Sequence, residues 1–205
     1  MTLTLPRNDY GLILADPAWA FETYSGTTQT PTQKDFNQAE DHYPTMPLAE
    51  MAALPVADFA AKDCALAMWV VGSHLDVALD LGRDWGFKYK TDVFWWLKQK
   101  MIEPNQLDIF TLDIPQPPMS MGYYSRKQME QCLLFTRGKP KVCANDVRQL
   151  IVASKRGHSR KPDEQYSRLE RLFGDVPRAE LFSRTSRKGW DAWGNEVGKF
   201  EEVMA

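Results

Sequence analysis

The chain has 205 residues, 43% of them hydrophobic and 12% aromatic, enough apolar side chain for one sizeable core, and it reads as a single domain over 1–205. No apolar run approaches the ~18 residues that cross a bilayer, and no basic segment followed by an apolar stretch opens the chain. With 25% charged residues, this argues against a membrane span and a disordered chain and predicts a cytoplasmic protein. Cys64, Cys132 and Cys143 are far apart, without a C-x-x-C pair, and read as buried thiols rather than a disulfide framework or zinc knuckle.

The formal net charge of −2 hides an uneven distribution. Residues 1–125 carry 8 Lys/Arg against 16 Asp/Glu, residues 126–188 carry 16 against 7, and residues 189–205 carry 1 against 4. The middle block is either a phosphate-tracking face, with Arg126, Lys127, Arg137, Lys139, Lys141, Lys155 and Arg156 as its members, or an ordinary solvated surface.

In chain order, Gly11 to Ala15 is a short apolar run halted by Asp16-Pro17, a buried strand that delivers a loop at its C-terminal end. The polar stretch 22–41 has no period and is too long for an ordinary connection, so a mobile loop is expected there. Pro47 to Met51 opens a helical stretch, and Cys64 to Val71 is a second buried strand. His74 to Trp85 has apolar residues at helical spacing with Gly86 behind, and Phe87 to Leu97 makes a third strand, so the unit is βαβ-like. The prolines within 99–122 predict a second long mobile loop. Glu130 to Thr136 and Gln149 to Ala153 look like strands. Pro162, Asp163 and Glu164 start an amphipathic helix ending at Gly174, and Ala179 to Phe182 is the last clear strand. Alternating strands and helices predict a three-layer α/β fold around a mostly parallel sheet. Trp69, Trp85, Trp95 and Trp96 fall in strand and helix patterns and read as core.

Three clusters carry chemistry. Asp16-Pro17-Ala18-Trp19 places a carboxylate, a proline carbonyl and an indole after a buried strand. A carboxylate and a carbonyl that accept both N–H groups of an aromatic amine turn its delocalised lone pair towards attack; the bland alternative is a turn with a buried tryptophan. His158 to Glu164 sets basic and hydroxyl groups at a helix N-terminus, suited to an anion or to a simple cap. Glu180 to Arg184, with Trp190 to Glu196 behind, is a strand end able to hold ribose hydroxyls, though without a G-x-G-x-x-G loop, which disfavours a dinucleotide.

These motifs, with His42-Tyr43-Pro44-Thr45-Met46, the Trp69 strand, Trp85-Gly86-Phe87, the Trp96 to Lys98 strand end and Gly122-Tyr123-Tyr124 with Glu130, occur in the order of a known family. From about Gly11 to Glu196 the chain resembles the β-class adenine-N(6) methyltransferases named after the seventy-kilodalton subunit of the mRNA adenosine methyltransferase, and in particular the phage and bacterial type. The resemblance implies a Rossmann-like methyltransferase fold, S-adenosylmethionine as cofactor and no metal. It implies that Asp16 and Pro17 hold the target amine with Trp19 against the adenine and Ala18 between them. Tyr43 would close over the site, Glu130 would lie near the base, and Ser159 and Lys161 would face substrate and cofactor. Asp16 and Lys161 would also meet the cofactor, with Arg184, Asn195 and Glu196 at its ribose and adenine end. Ala18 stands where the family often has a second proline, Ser183 where it has glycine, and Glu196 where the eukaryotic writer has glutamine. The implied partner is nucleic acid, DNA in preference to RNA, with target choice in the loops 22–41 and 99–122; a homodimer would help cover it. The rival reading is a catalytically silent nucleic-acid-binding scaffold of the same fold.

Overall fold

The structure, a computed structural model, describes residues 2–19, 46–99, 124–157 and 160–199. The predicted loop 22–41, and all of 99–122 except Gln99, lie outside the described residues.

Among the described residues, seven strands form one sheet: β1 (Tyr10–Ala15), β2 (Ala60–Val70), β3 (Lys88–Gln99), β4 (Met129–Arg137), β5 (Leu150–Ser154), β6 (Arg178–Leu181) and β7 (Asp191–Trp193), in the order β5-β3-β4-β2-β1-β6-β7. The pairs β1–β2, β1–β6, β3–β5 and β6–β7 are parallel, and only β4 runs against its neighbours β2 and β3. The expected mostly parallel Rossmann-like sheet is therefore present, with one reversed strand inserted between the two strands of the βαβ unit.

Helices cover both faces. On one lie α1 (Leu48–Ala52), α2 (Val56–Phe59) and α3 (Leu75–Asp84), the last entered through a 3-10 turn at Gly72–His74; on the other lies α4 (Glu164–Phe173). Strand alternation sorts the core between the two faces. Ile13, Leu66, Met68 and Phe135 pack with Met51, Leu81 and Trp85, while Leu12, Leu14, Ala67 and Trp69 pack with Tyr166, Leu169 and Phe173. Trp69, Trp85 and Trp96 are buried as expected, whereas Trp95 is half-buried. Cys64 and Cys132 are buried, but Cys143 is exposed, because it lies in the irregular segment between β4 and β5.

Two short elements, α2 and β7, escaped the sequence reading, since four and three residues do not complete a legible period. The close packing of α3 on the sheet rests on Gly82: a Cβ there would lie 2.3 Å from the Phe135 ring, which is fully buried and has no room to turn. Gly82→Ala is therefore expected to lower unfolding stability by about 1–2 kcal/mol, overpacking outweighing the gain in helix propensity, as read by urea denaturation.

Candidate active site

The chain leaves β1 towards β2 on one side, while β6 continues to β7 on the other. This makes the crevice between the C-terminal ends of β1 and β6 a topological switch point, where open α/β sheets bind ligands. Asp16 follows β1, Phe182 to Arg184 follow β6, and Gly194 to Glu196 follow β7. Because β4 is reversed, its first residues reach the same end of the sheet, beside the last residues of β3: Glu130 pairs with Trp96 across the strands. The cleft is lined by Asp16, Lys161, Tyr166, Glu180, Phe182 and Arg184, with Trp69 behind them.

An alternating row of charges crosses it. Lys161 Nζ donates to both oxygens of Asp16, at 2.9 and 2.8 Å, and lies 3.5 Å from Glu130 Oε2. Lys98 pairs with Glu130 on the far side, and Arg184 Nη2 stands 3.8 Å from Asp16 Oδ2 on the near side. Arg156 donates to the Lys161 carbonyl and to Asp163 Oδ2 at 2.7 Å, fixing the backbone that carries the lysine. Burial works against the Lys161 ammonium, but Asp16 and Glu130 outweigh it and hold its pKa above the ordinary value. Burial likewise works against the Glu130 carboxylate, and Lys161 and Lys98 outweigh that and hold its pKa below the ordinary range. Both groups are thus charged at neutral pH. A carboxylate has about four acceptor sites, so the lysine leaves Asp16 able to accept further hydrogen bonds from the cleft.

Glu180, at the β6 end of the cleft, has a different setting. Its oxygens meet hydroxyls: Tyr166 at 3.0 and 3.1 Å and Ser183 at 3.0 Å. Burial pushes its carboxyl up to about 7. Beyond it Phe182 adopts a φ of 60°, a backbone conformation unusual for a bulky residue, held by rings 6.4 Å away in Trp85 and 5.3 Å away in Trp193. The β6 and β7 exits touch: a Cβ on Gly194 would lie 2.3 Å from the Ser183 carbonyl, so glycine alone fits there.

The structure brings Asp16, Glu130, Lys161 and Arg184 together. Pro17 O accepts the Trp19 N–H at 2.8 Å, a tight turn that Ala18 spans without the second proline, and the carbonyl keeps a second lone pair. Trp19 is not an exposed plate: it is 3% accessible, packs in the core and donates its indole N–H to Trp69 O at 3.3 Å, because the turn folds it back under the sheet. Asn195 is exposed, and Glu196 Oε2 is buried without a hydrogen-bond partner. Tyr43, His158, Ser159 and Tyr123 lie outside the described residues.

The start of α4 is not an open anion site, since Asp163 occupies the N-cap position and is ion-paired with Arg156 and Arg160. Nor is the basic block one face. Reversal of β4 carries Arg137 to the far end of the sheet, where it pairs with Cys64 and donates to Ala57 O, and Lys139 and Lys141 follow it. Arg126 and Lys127 precede β4, and Lys155 and Arg156 follow β5, at the Asp16 end. The sequence presents Lys98 as a strand end and Tyr166 and Gln165 only as positions within the helix after Pro162. A lysine at the end of an apolar strand was the one available signal for the first, and Gln165, buried and accepting the Trp69 indole N–H at 2.6 Å, carried none.

The family model described as MT-A70 matches residues 10–196. The type II methyltransferase M.MunI of Mycoplasma sp is 33% identical over 205 residues, covering 94% of this chain and 80% of that protein. The N(6)-adenosine-methyltransferase MT-A70-like protein of Arabidopsis thaliana is 30% identical over 194 residues, covering 92% of this chain, and human N(6)-adenine-specific methyltransferase METTL4 is 26% identical over 202 residues, covering 96%. The chain spans 24% of the plant protein and 39% of the human one, so the likeness to these two is to one part of each. From β1 to the residues after β7, the matched span takes in every strand of the sheet and every charged side chain of the cleft, and the chain is a member of the MT-A70 family of methyltransferases.

Proposed function

We propose that the chain transfers a methyl group from S-adenosylmethionine to the exocyclic N(6) amine of adenine in nucleic acid, DNA in preference to RNA. The observation that carries this reading is Asp16, held at the switch point by a buried lysine and still able to accept from the cleft. When bound, the cofactor supplies a methyl group already activated on a sulfonium. Asp16 and the Pro17 carbonyl accept the amine's two N–H groups, which turns the nitrogen lone pair towards the methyl carbon and offsets the positive charge that develops on nitrogen. The methylated amine then releases a proton to solvent, so no strong base is required of Asp16.

The residues present fit such a cofactor. Glu196 Oε2 is a buried acceptor lacking a donor, which a ribose hydroxyl provides, and Arg184 and Asn195 stand at the neighbouring strand exits. An adenine in duplex must leave the stack to reach Asp16. Arg126 and Lys127 before β4 and Lys155 after β5, at the Asp16 end, are the basic side chains suited to hold the backbone while it does so, Arg156 being committed to Asp163. The preference for DNA is supported by the likeness to a bacterial type II methyltransferase over most of that protein's length.

The test is transfer of labelled methyl from S-adenosylmethionine to matched duplex DNA, single-stranded DNA and RNA, followed by nucleoside mass spectrometry. N(6)-methyladenine in DNA is expected. Label confined to RNA would overturn the choice of polymer, and cofactor binding without methylation of any of the three would favour the silent scaffold.

A further inference from the structure

The hydrogen bonds around Glu180 do not close on a carboxylate. Ser183 Oγ lies 2.8 Å from the Thr185 carbonyl oxygen and 3.0 Å from Glu180 Oε2, while accepting the Thr185 N–H at 3.2 Å. A hydroxyl has one proton, and a carbonyl oxygen only accepts. One proton cannot serve both acceptors, so whenever it lies on the shorter contact to Thr185 O, the contact with Glu180 is closed by a proton on the glutamate. Tyr166 supplies one proton to the pair of glutamate oxygens, and the second comes from the carboxylic acid itself. Glycine at 183, the residue usual in the family, would remove this contact; serine creates it.

Among the described residues, few charged groups face the carboxyl. Asp16 comes from the end of β1, Asp163 from the start of α4, Arg160 and Lys161 from the segment before it, and Arg184 and Arg187 from the loop after β6. The Arg187 guanidinium is spent over the Tyr166 ring at 4.2 Å, and Lys161 and Arg184 are turned to Asp16. Among the described residues, the groups that hydrogen-bond to Glu180 are the Tyr166 and Ser183 hydroxyls.

We propose that, on the acid side of neutrality, Glu180 is a neutral carboxylic acid in the resting protein and discharges its proton to solvent when a positively charged ligand fills the cleft, so that binding of a cationic cofactor is coupled to proton release. This rests on the reading of the cleft as an S-adenosylmethionine site. A cationic group beside Glu180 favours the carboxylate, Ser183 turns its proton from Thr185 O to Glu180 Oε2, and the site ends with one negative charge matched to the ligand. The elevated carboxyl, set mainly by burial and offset only in part by the two hydroxyls, agrees with this.

The experiment is titration calorimetry with S-adenosylmethionine in two buffers of different ionisation heat, which counts protons released. The wild type should release about 0.9 proton near pH 6 and about 0.1 near pH 8, with affinity rising about tenfold between the two. Glu180→Gln, which keeps the shape and donates to Ser183, should release none of this proton and bind without that pH dependence. Ser183→Ala, which removes a donor to the carboxylate, should move the midpoint to higher pH. S-adenosylhomocysteine, which keeps the ammonium and lacks the sulfonium, tells which cation Glu180 meets, since it releases the proton only if the ammonium does so. Binding with equal proton release by wild type and Glu180→Gln overturns the coupling while leaving the cofactor reading intact. Failure to bind the cofactor overturns that reading and, with it, the coupling. The resting state is tested without ligand by infrared spectroscopy: a protonated-acid carbonyl stretch present near pH 6, lost near pH 8 and missing from Glu180→Gln is expected, and its absence from the wild type overturns the proposal.

Discussion

Asp16→Ala should reduce methyl transfer by about a thousandfold, the order seen when a charge-stabilising group is removed from an enclosed site. The reason is positional. The carboxylate is offered at the end of β1 with both oxygens fixed by Lys161, so in the proposed reaction the orientation of an amine against it would be set before substrate arrives. Asp16→Asn, which keeps the shape and loses the charge, should recover about tenfold of the loss but no more, since its amide group meets the Lys161 ammonium donor to donor. The fold should survive, because Lys161 keeps Glu130 and Glu130 keeps Lys98. Single-turnover transfer with circular dichroism of each variant checks both halves. A variant with ordinary turnover would remove Asp16 from the reaction.

Lys161→Met should be the most damaging single change to stability in the cleft, lowering it by about 3 kcal/mol, or about 6–12 °C in Tm. It leaves Asp16 and Glu130 facing one another across a buried space with one cation at each outer edge. The effect has a pH signature. Glu130 has its folded pKa below its unfolded one, so it contributes stability that is present above the unfolded value of 4.5 and is lost as pH falls through the lower folded value. Removing Lys161 removes part of that contribution, so the wild type should lose its advantage over Lys161→Met as the solution is acidified below the ordinary glutamate range. Glu130→Gln combined with Lys161→Met should recover part of the loss, because the repulsion between Asp16 and Glu130 is gone, and a double-mutant cycle by chemical denaturation measures the coupling. Strict additivity of the two changes would show that the 3.5 Å contact between them carries no energy.

Glu130 and Glu180 show why two buried glutamates of one cleft behave in opposite ways. Both are desolvated, which alone raises a carboxyl pKa. Glu130 stands between two ammonium groups and Glu180 between two hydroxyls, and the difference of partner decides the sign.

Most of the strands were legible because a strand buried on both faces is an uninterrupted apolar run, as in Ile13 to Ala15 and Cys64 to Val70. Helices α3 and α4 were legible from their spacing and from Gly86 and Gly174 behind them. Asp16 stood out because a carboxylate and a proline stop such a run abruptly. Trp19 was left open because an indole after a turn reads the same whether it faces the cleft or the core, and the fold buries it with its N–H on the Trp69 carbonyl.

The sequence by itself determined every strand but β7, the two principal helices, the family resemblance and the residues at those strand ends, since all of these are set by covalent neighbours and local period. The tertiary structure alone decided which strand ends meet. Lys161 reaches Asp16 across 145 residues, and Glu130 joins them only because β4 runs backwards between β2 and β3. The same reversal splits the basic block between opposite ends of the sheet, and the pairing of β6 with β7 brings the Trp193 ring against Phe182 at the edge of the cleft. Strand order and direction are chosen by the packing of whole faces, a sum over the two cores that no window of the sequence contains.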